Sequence, residues 1–248
     1  MSIVAGKTTK KKTKAKKKEE PNLLRRQWLR VRKSVRRVAV WVFSLTIFAV
    51  LIFAVVNPPT TWTMLSEKRR LGQIDREWVA IEEVAPVLLR SVVAAEDANF
   101  CQHWGFDLKA IREALDGGAG RGASTISQQT VKNVYLWQGR SWFRKSLEAL
   151  LTPLVEIAWS KRRILEIYVN VAEFDEGVFG IEAASRHYFG VGPEALNEVQ
   201  AARLAAILPS PKTRSASKPS AAIRQKAMRI IDGAETIRRD GRAACFED

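Results

Sequence analysis

Nineteen consecutive residues, Val38 to Val56 (VAVWVFSLTIFAVLIFAVV), carry no charge and only two polar side chains, Ser44 and Thr46. As an α-helix this run spans about 28 Å at ~1.5 Å per residue, close to the ~30 Å hydrocarbon core of a bilayer. A buried core helix fits it poorly, since no face is polar and one flank is crowded with charge. Residues 1–37 hold 15 Lys and Arg against Glu19 and Glu20, and so carry +13 of the chain's formal net charge of +15. A cleaved signal peptide is disfavoured, because the basic region is too long and no small-x-small site follows the apolar run. The positive-inside rule places 1–37 in the cytoplasm, 38–56 across the membrane and 57–248 outside it. Lys68, Arg69 and Arg70 are too few to reverse that orientation. Trp41 and Trp62 suit the two interfaces. The charge is therefore no nucleic-acid footprint: it sits in a low-complexity tail, and the rest of the chain is nearly neutral.

Beyond Asn57 the chain reads as one mostly α domain. Apolar residues recur at helical spacing in Val79–Glu96 (with Pro86 kinking or delimiting it), Leu108–Leu115, Thr125–Trp137, Trp142–Ser160, Arg162–Val171, Gly180–Tyr188, Leu196–Leu208 and Ala221–Arg239. No run alternates as a strand would, and 210–220 reads as a Pro/Ser/Lys linker. Leu23–Arg37 alternates apolar and basic residues, as a helix on an anionic membrane surface does. Cys101 and Cys245 match no zinc spacing and make no disulfide framework; in an oxidising compartment they could pair, but free thiols are the favoured expectation.

Several polar groups ask for a chemical reason. The stretch GGAGRG at 117–122 has Ala123 where a nucleotide-binding loop needs lysine, which argues against ATP. Hydroxyls leading into a helix N-terminus still suit an anion. In the helix that follows, Ser124, Gln128 and Lys132 share one face, with Gln129 and Asn133 in a row beside it. Amides and one lysine there differ from the Glu/Lys mixture of an ordinary solvated face. Glu96-Asp97 ends an apolar helix, a position where carboxylates are electrostatically disfavoured. It suits a base in a poorly solvated cleft. Arg140, Arg144, Lys145 and Glu148 follow, the pair 144/148 at ion-pair spacing.

The order of these groups resembles the peptidoglycan glycosyltransferases (glycosyltransferase family 51), in particular the monofunctional biosynthetic peptidoglycan transglycosylases. E-D-x-x-F-x-x-H-x-G appears as Glu96-Asp97 with Phe100, His103 and Gly105. G-x-S-T-I-[TS]-Q-Q-x-x-K-N appears from Gly122 to Asn133, with Ser127 where many members have Thr. R-K-x-x-E is Arg144-Lys145-x-x-Glu148, and K-x-x-I-L-E-x-Y-x-N runs from Lys161 to Asn170. A fifth stretch runs from Gly180 through Tyr188-Phe189-Gly190. Together they cover Val92 to Pro211, about half the chain. One departure stands after the first motif, where a basic residue usually ends the helix: here Arg112 is followed by Glu113.

The resemblance implies a lysozyme-like glycosyltransferase domain behind a single membrane helix in the inner (plasma) membrane, with its catalytic domain periplasmic. The implied reaction joins lipid II to a growing lipid-linked glycan. Glu96 is implied as the base on the acceptor hydroxyl. Lys132, Arg140, Arg144 and Lys145 would neutralise the diphosphate, with Ser124, Gln128, Gln129 and Asn133 as hydrogen-bonding neighbours. Glu148 is implied as the second site carboxylate, orienting a diphosphate or the divalent ion (Mg or Mn) bound to it; no organic cofactor is implied. Proteins of the division or elongation machinery are the implied protein partners. Bifunctional relatives continue into a transpeptidase domain, for which 248 residues are expected to leave no room. Two rival readings stay open: a peptidoglycan-cleaving enzyme, and a noncatalytic membrane scaffold. The first needs a protonated carboxylic acid to expel a sugar hydroxyl and has no use for a cationic cluster.

Overall fold

A computed structural model of the chain describes residues 23–116, 124–139 and 141–247. The GGAGRG stretch and Arg140 lie outside the described residues. The chain divides into two units, 1–46 and 47–248. Basic segment and apolar run form one helix, α1 (Leu23–Phe53), of which Arg25–Phe53 is long and apolar enough to cross a membrane. It ends three residues before Val56. There Val55 and Val56 donate back to the Ile52 carbonyl, and Pro58 and Pro59 follow.

In the second unit the order is α2 (Trp62–Leu71), β1 (Asp75–Arg76), α3 (Pro86–Glu96), α4 (Leu108–Asp116), α5 (Ile126–Tyr135), α6 (Trp142–Ala158) and α7 (Lys161–Val171). Then come β2 (Glu173–Asp175), β3 (Val178–Phe179), α8 (Ile181–Phe189), α9 (Glu198–Ile207), α10 (Ala221–Arg239) and α11 (Ala244–Glu247). Local chemistry sets most of the boundaries. Thr61, Ser141, Ser160 and Ser220 each accept the N–H of the third residue of the following helix. Pro86 occupies the first position of α3, so it starts that helix where the periodicity extended it back to Val79.

Two bodies of packing carry the site. Helices α3, α9 and α10 pack on one another, and α5 packs against α6 and α7. Leu88, Val92, Ile126, Val131, Ile164 and Leu204 lie fully buried in their shared core. Asn170 on α7 is fully buried; its side chain accepts from Val79 N–H and donates to the Val79 carbonyl, both at 2.9 Å. The last turn of α1 is part of this unit. Its C-terminal carbonyls, which no intrahelical N–H satisfies, receive Trp159 Nε1–H on Val50 O (2.7 Å) and Arg163 Nε–H on Phe53 O (3.2 Å).

Three features depart from the sequence expectation. Helix α2 lay outside the recognised periodic segments. A three-stranded sheet, in the order β1-β3-β2, has strands of two or three residues, too short to show alternation. Most consequentially, Cys101 and Cys245 form a disulfide, with Cα atoms 5.7 Å apart. They are 144 residues apart in sequence, and only the docking of α11 brings them together. Phe246 is fully buried there, Arg90 pairs with Glu247 at 2.6 Å, and Arg162 donates to the Phe246 carbonyl. Reducing this bond, or Cys245→Ser, should lower unfolding free energy by about 2–4 kcal/mol, since it closes a long loop. Denaturant midpoints with and without reductant check this; coincident midpoints would contradict it.

Candidate active site

The C-terminus of α3 meets the N-terminus of α5 at Asp97. Its Oδ2 accepts Ile126 N–H at 2.9 Å, one of the α5 donors with no intrahelical partner, and its Oδ1 lies 2.8 Å from His103 Nε2. Thr125 makes a second tie: its hydroxyl donates to Gly105 O at 2.6 Å and accepts Gln128 N–H. Gly105 has φ +81°, and a Cβ there would sit 2.5 Å from Thr152 Cγ2, so only glycine fits. With the helices joined this way, Gln129 Nε2 donates to Glu96 Oε2 at 2.8 Å. Tyr168 of α7 in turn donates to Gln129 Oε1 at 3.3 Å, which fixes the orientation of the amide.

Glu96 is partly buried, and desolvation pushes its carboxyl above the usual range. The hydrogen bond from Gln129 and the charges of Lys226 and Lys132 pull the other way, while Asp97 adds to the rise. Lys132 is pushed down by burial, against the pull of Glu148 and Glu96. In the second turn of α6, Glu148 is 3% exposed and held by two cations, Arg144 Nη1 at 2.7 Å and Lys145 Nζ. Arg144 Nε also donates to Gly139 O, and Lys145 Nζ reaches Ser124 Oγ at 3.4 Å. Among the described residues no group of three or more His, Cys, Asp or Glu side chains is placed to hold a metal ion.

Two cavities flank the Glu96–Gln129 hydrogen bond. One, of about 210 Å³, is lined by Glu96, Asp97, Asn99, Asp107, Ser124 and Thr125. The other, of about 390 Å³, is lined by Gln129, Lys132, Asn133, Tyr168, Glu67 and Lys212, among others. A cavity of about 670 Å³ against α3, α9 and α10 touches none of the expected site residues. The structure thus gathers Glu96, Gln129, Lys132, Asn133 and Ser124 around adjoining spaces, with Arg144, Lys145 and Glu148 linked through Ser124. Gln128 is placed differently: its Oε1 accepts Thr125 N–H at 3.1 Å, so it caps its own helix. Sequence reasoning passed over Lys226, Glu67 and Lys212. It also passed over Glu156, which accepts from Ser127 and from Lys161 (2.8 Å).

A family model described as Transglycosylase matches residues 63–235. That span takes in both helical bodies and every described residue of the site. The chain belongs to the transglycosylase family. A biosynthetic peptidoglycan transglycosylase of Jannaschia sp. (strain CCS1) is 57% identical over 203 residues, 82% of this chain and 85% of that protein. One from Pseudomonas putida (strain GB-1) is 46% identical over 217 residues, covering 84% and 89% of the two chains. Another, from Caulobacter vibrioides, is 41% identical over 223 residues, covering 87% and 97%. This transglycosylase is accordingly an enzyme, a glycosyltransferase of the lysozyme-like, mostly helical kind.

The raised carboxyl of this transglycosylase has a measurable cost. Ionised Glu96 destabilises the fold at pH values above its raised folded-state value, and contributes nothing below its unfolded value near 4.5. Glu96→Gln should therefore melt at a higher temperature than the parent at pH 8, with the difference vanishing near pH 4. Thermal unfolding in detergent at both pH values tests this, and a lower melting temperature at pH 8 would contradict it.

Proposed function

We propose that this transglycosylase polymerises lipid II into peptidoglycan strands at the membrane surface. One observation carries the reading: a partly buried carboxylate, Glu96, held by Gln129, stands between two cavities, one of them walled by Lys132. A sugar 4-hydroxyl is a poor nucleophile until a base takes its proton, and a carboxylate raised by burial is suited to that near neutrality. Glu96 takes the proton as the 4-oxygen of lipid II attacks the anomeric carbon of the growing chain. The bond from that carbon to undecaprenyl diphosphate breaks, and attack opposite the leaving group turns the α-anomer into a β-1,4 link. The departing diphosphate is already a stable anion, so it needs neutralisation rather than a proton. Lys132, Arg144 and Lys145 supply positive charge, with Arg140 joining them by resemblance. Glu148 then acts by holding Arg144 and Lys145 in place.

The membrane enters the same argument. Both substrates carry lipid, so the cleft must lie at a bilayer surface. Trp142 (90% exposed) and Phe143 (67% exposed) project from the first turn of α6 beside Arg144 and Lys145, a combination suited to the lipid–water interface. We place residues 1–37 in the cytoplasm, 38–56 across the inner membrane and 57–248 outside. The Cys101–Cys245 disulfide supports an oxidising location for the catalytic unit.

Purified protein with labelled lipid II tests the function. Glu96→Gln should cut polymerisation by about 10²–10⁴-fold while the protein still binds lipid II. Lys132→Ala should instead appear mainly as weakened substrate capture. A folded Glu96→Gln protein that polymerises at close to the parent rate would remove Glu96 from the role of base.

A further inference from the structure

Tyr168 is among the largest fully buried side chains of the protein. Helix α7 has little freedom to move it. Ser160 caps the start of the helix, and Asn170, just beyond Tyr168, exchanges two hydrogen bonds with the backbone of Val79. A phenol enclosed in this way needs a partner for its hydroxyl. Its partner among the described residues is Gln129 Oε1 on α5, at 3.3 Å. Gln129 is a flexible side chain that lines a cavity, and unlike Gln128 it takes no part in capping. Its amide is held at both ends: the oxygen accepts from Tyr168, and the nitrogen donates to Glu96 Oε2 at 2.8 Å. The chain therefore runs one way, O–H to carbonyl and then N–H to carboxylate. Burial, with the charges of Glu96 and Asp97, pushes the phenol well above its usual range, so it stays a neutral donor near neutral pH. Glu96 Oε1 accepts no hydrogen bond among the described residues, and Glu96 borders the smaller cavity.

We propose that Tyr168 is a positioning residue for the reaction: through the Gln129 amide it pins Oε2 of Glu96 and leaves Oε1 as the atom that takes the proton of the acceptor hydroxyl. This rests on the reading of Glu96 as the base. An ionised carboxylate only accepts, so it needs the nitrogen of the amide toward it and not the oxygen. The phenol supplies that preference from the far side, because its proton goes to Gln129 Oε1 and leaves the N–H groups for Glu96. It also restrains a long side chain that has cavity space beside it and whose other rotamers carry the donor away. A donor held on the charged form favours that form, which offsets part of the burial acting on Glu96. Lys132 from α5, Lys226 from α10 and Asp97 at the end of α3 act on Glu96 as well, and removing the Tyr168 hydroxyl leaves all three in place. Tyr168 itself borders the larger cavity, so the rival role is contact with substrate, which is read in KM.

The test is the pH dependence of lipid II polymerisation by the full chain in detergent, comparing the parent with Tyr168→Phe, Gln129→Met, the double variant and Glu96→Gln. Tyr168→Phe keeps the ring and removes only the hydroxyl. Its kcat should fall by about 2–10-fold, the range one neutral hydrogen bond allows, with KM little changed. The acid limb of kcat/KM should move upward by up to about one pH unit, since Glu96 then spends time without its donor. Gln129→Met should move the limb at least as far, and adding Tyr168→Phe to it should change neither limb nor kcat further, because the hydroxyl acts through the amide. An unmoved limb in folded Tyr168→Phe, a loss confined to KM, or an equal loss with and without Gln129 overturns the proposal. Should Tyr168→Phe fail to fold, Tyr168→Met, which lacks the hydroxyl and adapts to irregular space, is read in the same way. The two readings fail separately. An active Glu96→Gln enzyme sinks the base, whereas an inactive one beside an unmoved Tyr168→Phe limb sinks only the role of Tyr168.

Discussion

The side chain of Asp97 is the joint on which the site depends. A carboxylate accepting the N–H of Ile126 satisfies a helix start and meets the positive end of the α5 dipole. It also fixes where α5 begins relative to α3. That placement decides that Gln129 faces Glu96, and the turn of the helix then carries Lys132 and Asn133 into the adjoining cavity. Gly105 and Thr125 hold the joint from its other side, at a contact too close for any side chain on residue 105. The neighbouring glutamate can thus be reactive because the aspartate beside it is structural.

Two glutamates in one site are given opposite treatment. Glu148 is nearly excluded from water and meets two cations directly, which suits a group that organises charge. Glu96 makes one neutral hydrogen bond and feels its lysines without a direct ion pair among the described contacts, so burial dominates its proton affinity. A direct salt bridge to Glu96 would lower its proton affinity, which is the opposite of what the proposed base needs. Neighbouring charge at a distance keeps the group ionisable without removing its appetite for a proton.

Much of this could be read from the chain before any coordinates. Helices from α3 to α10 announced themselves by apolar spacing, and the ordered motifs named Glu96, Lys132 and Glu148. The remainder depends on contacts that spacing does not encode. Gln128 and Gln129 are neighbours with the same chemistry, and helical phase alone did not say which one caps and which one faces the carboxylate. The Thr125–Gln128 spacing is a capping-box signal that would have separated them. Cys245 pairs with Cys101 only because α11 docks behind the first motif. Lys226 looks like a surface lysine in an amphipathic pattern, yet it is partly buried and donates to the Ala206 carbonyl at the end of α9.

Inside the folded site, burial holds the proton affinity of Glu96 above that of an exposed glutamate. Difference infrared spectroscopy across pH, with Glu96→Gln as the subtraction reference, reads the protonation of that carboxyl directly. A single Glu96 carboxyl band should disappear with a midpoint above the ordinary glutamate value of 4.5. A midpoint at or below that value would contradict it.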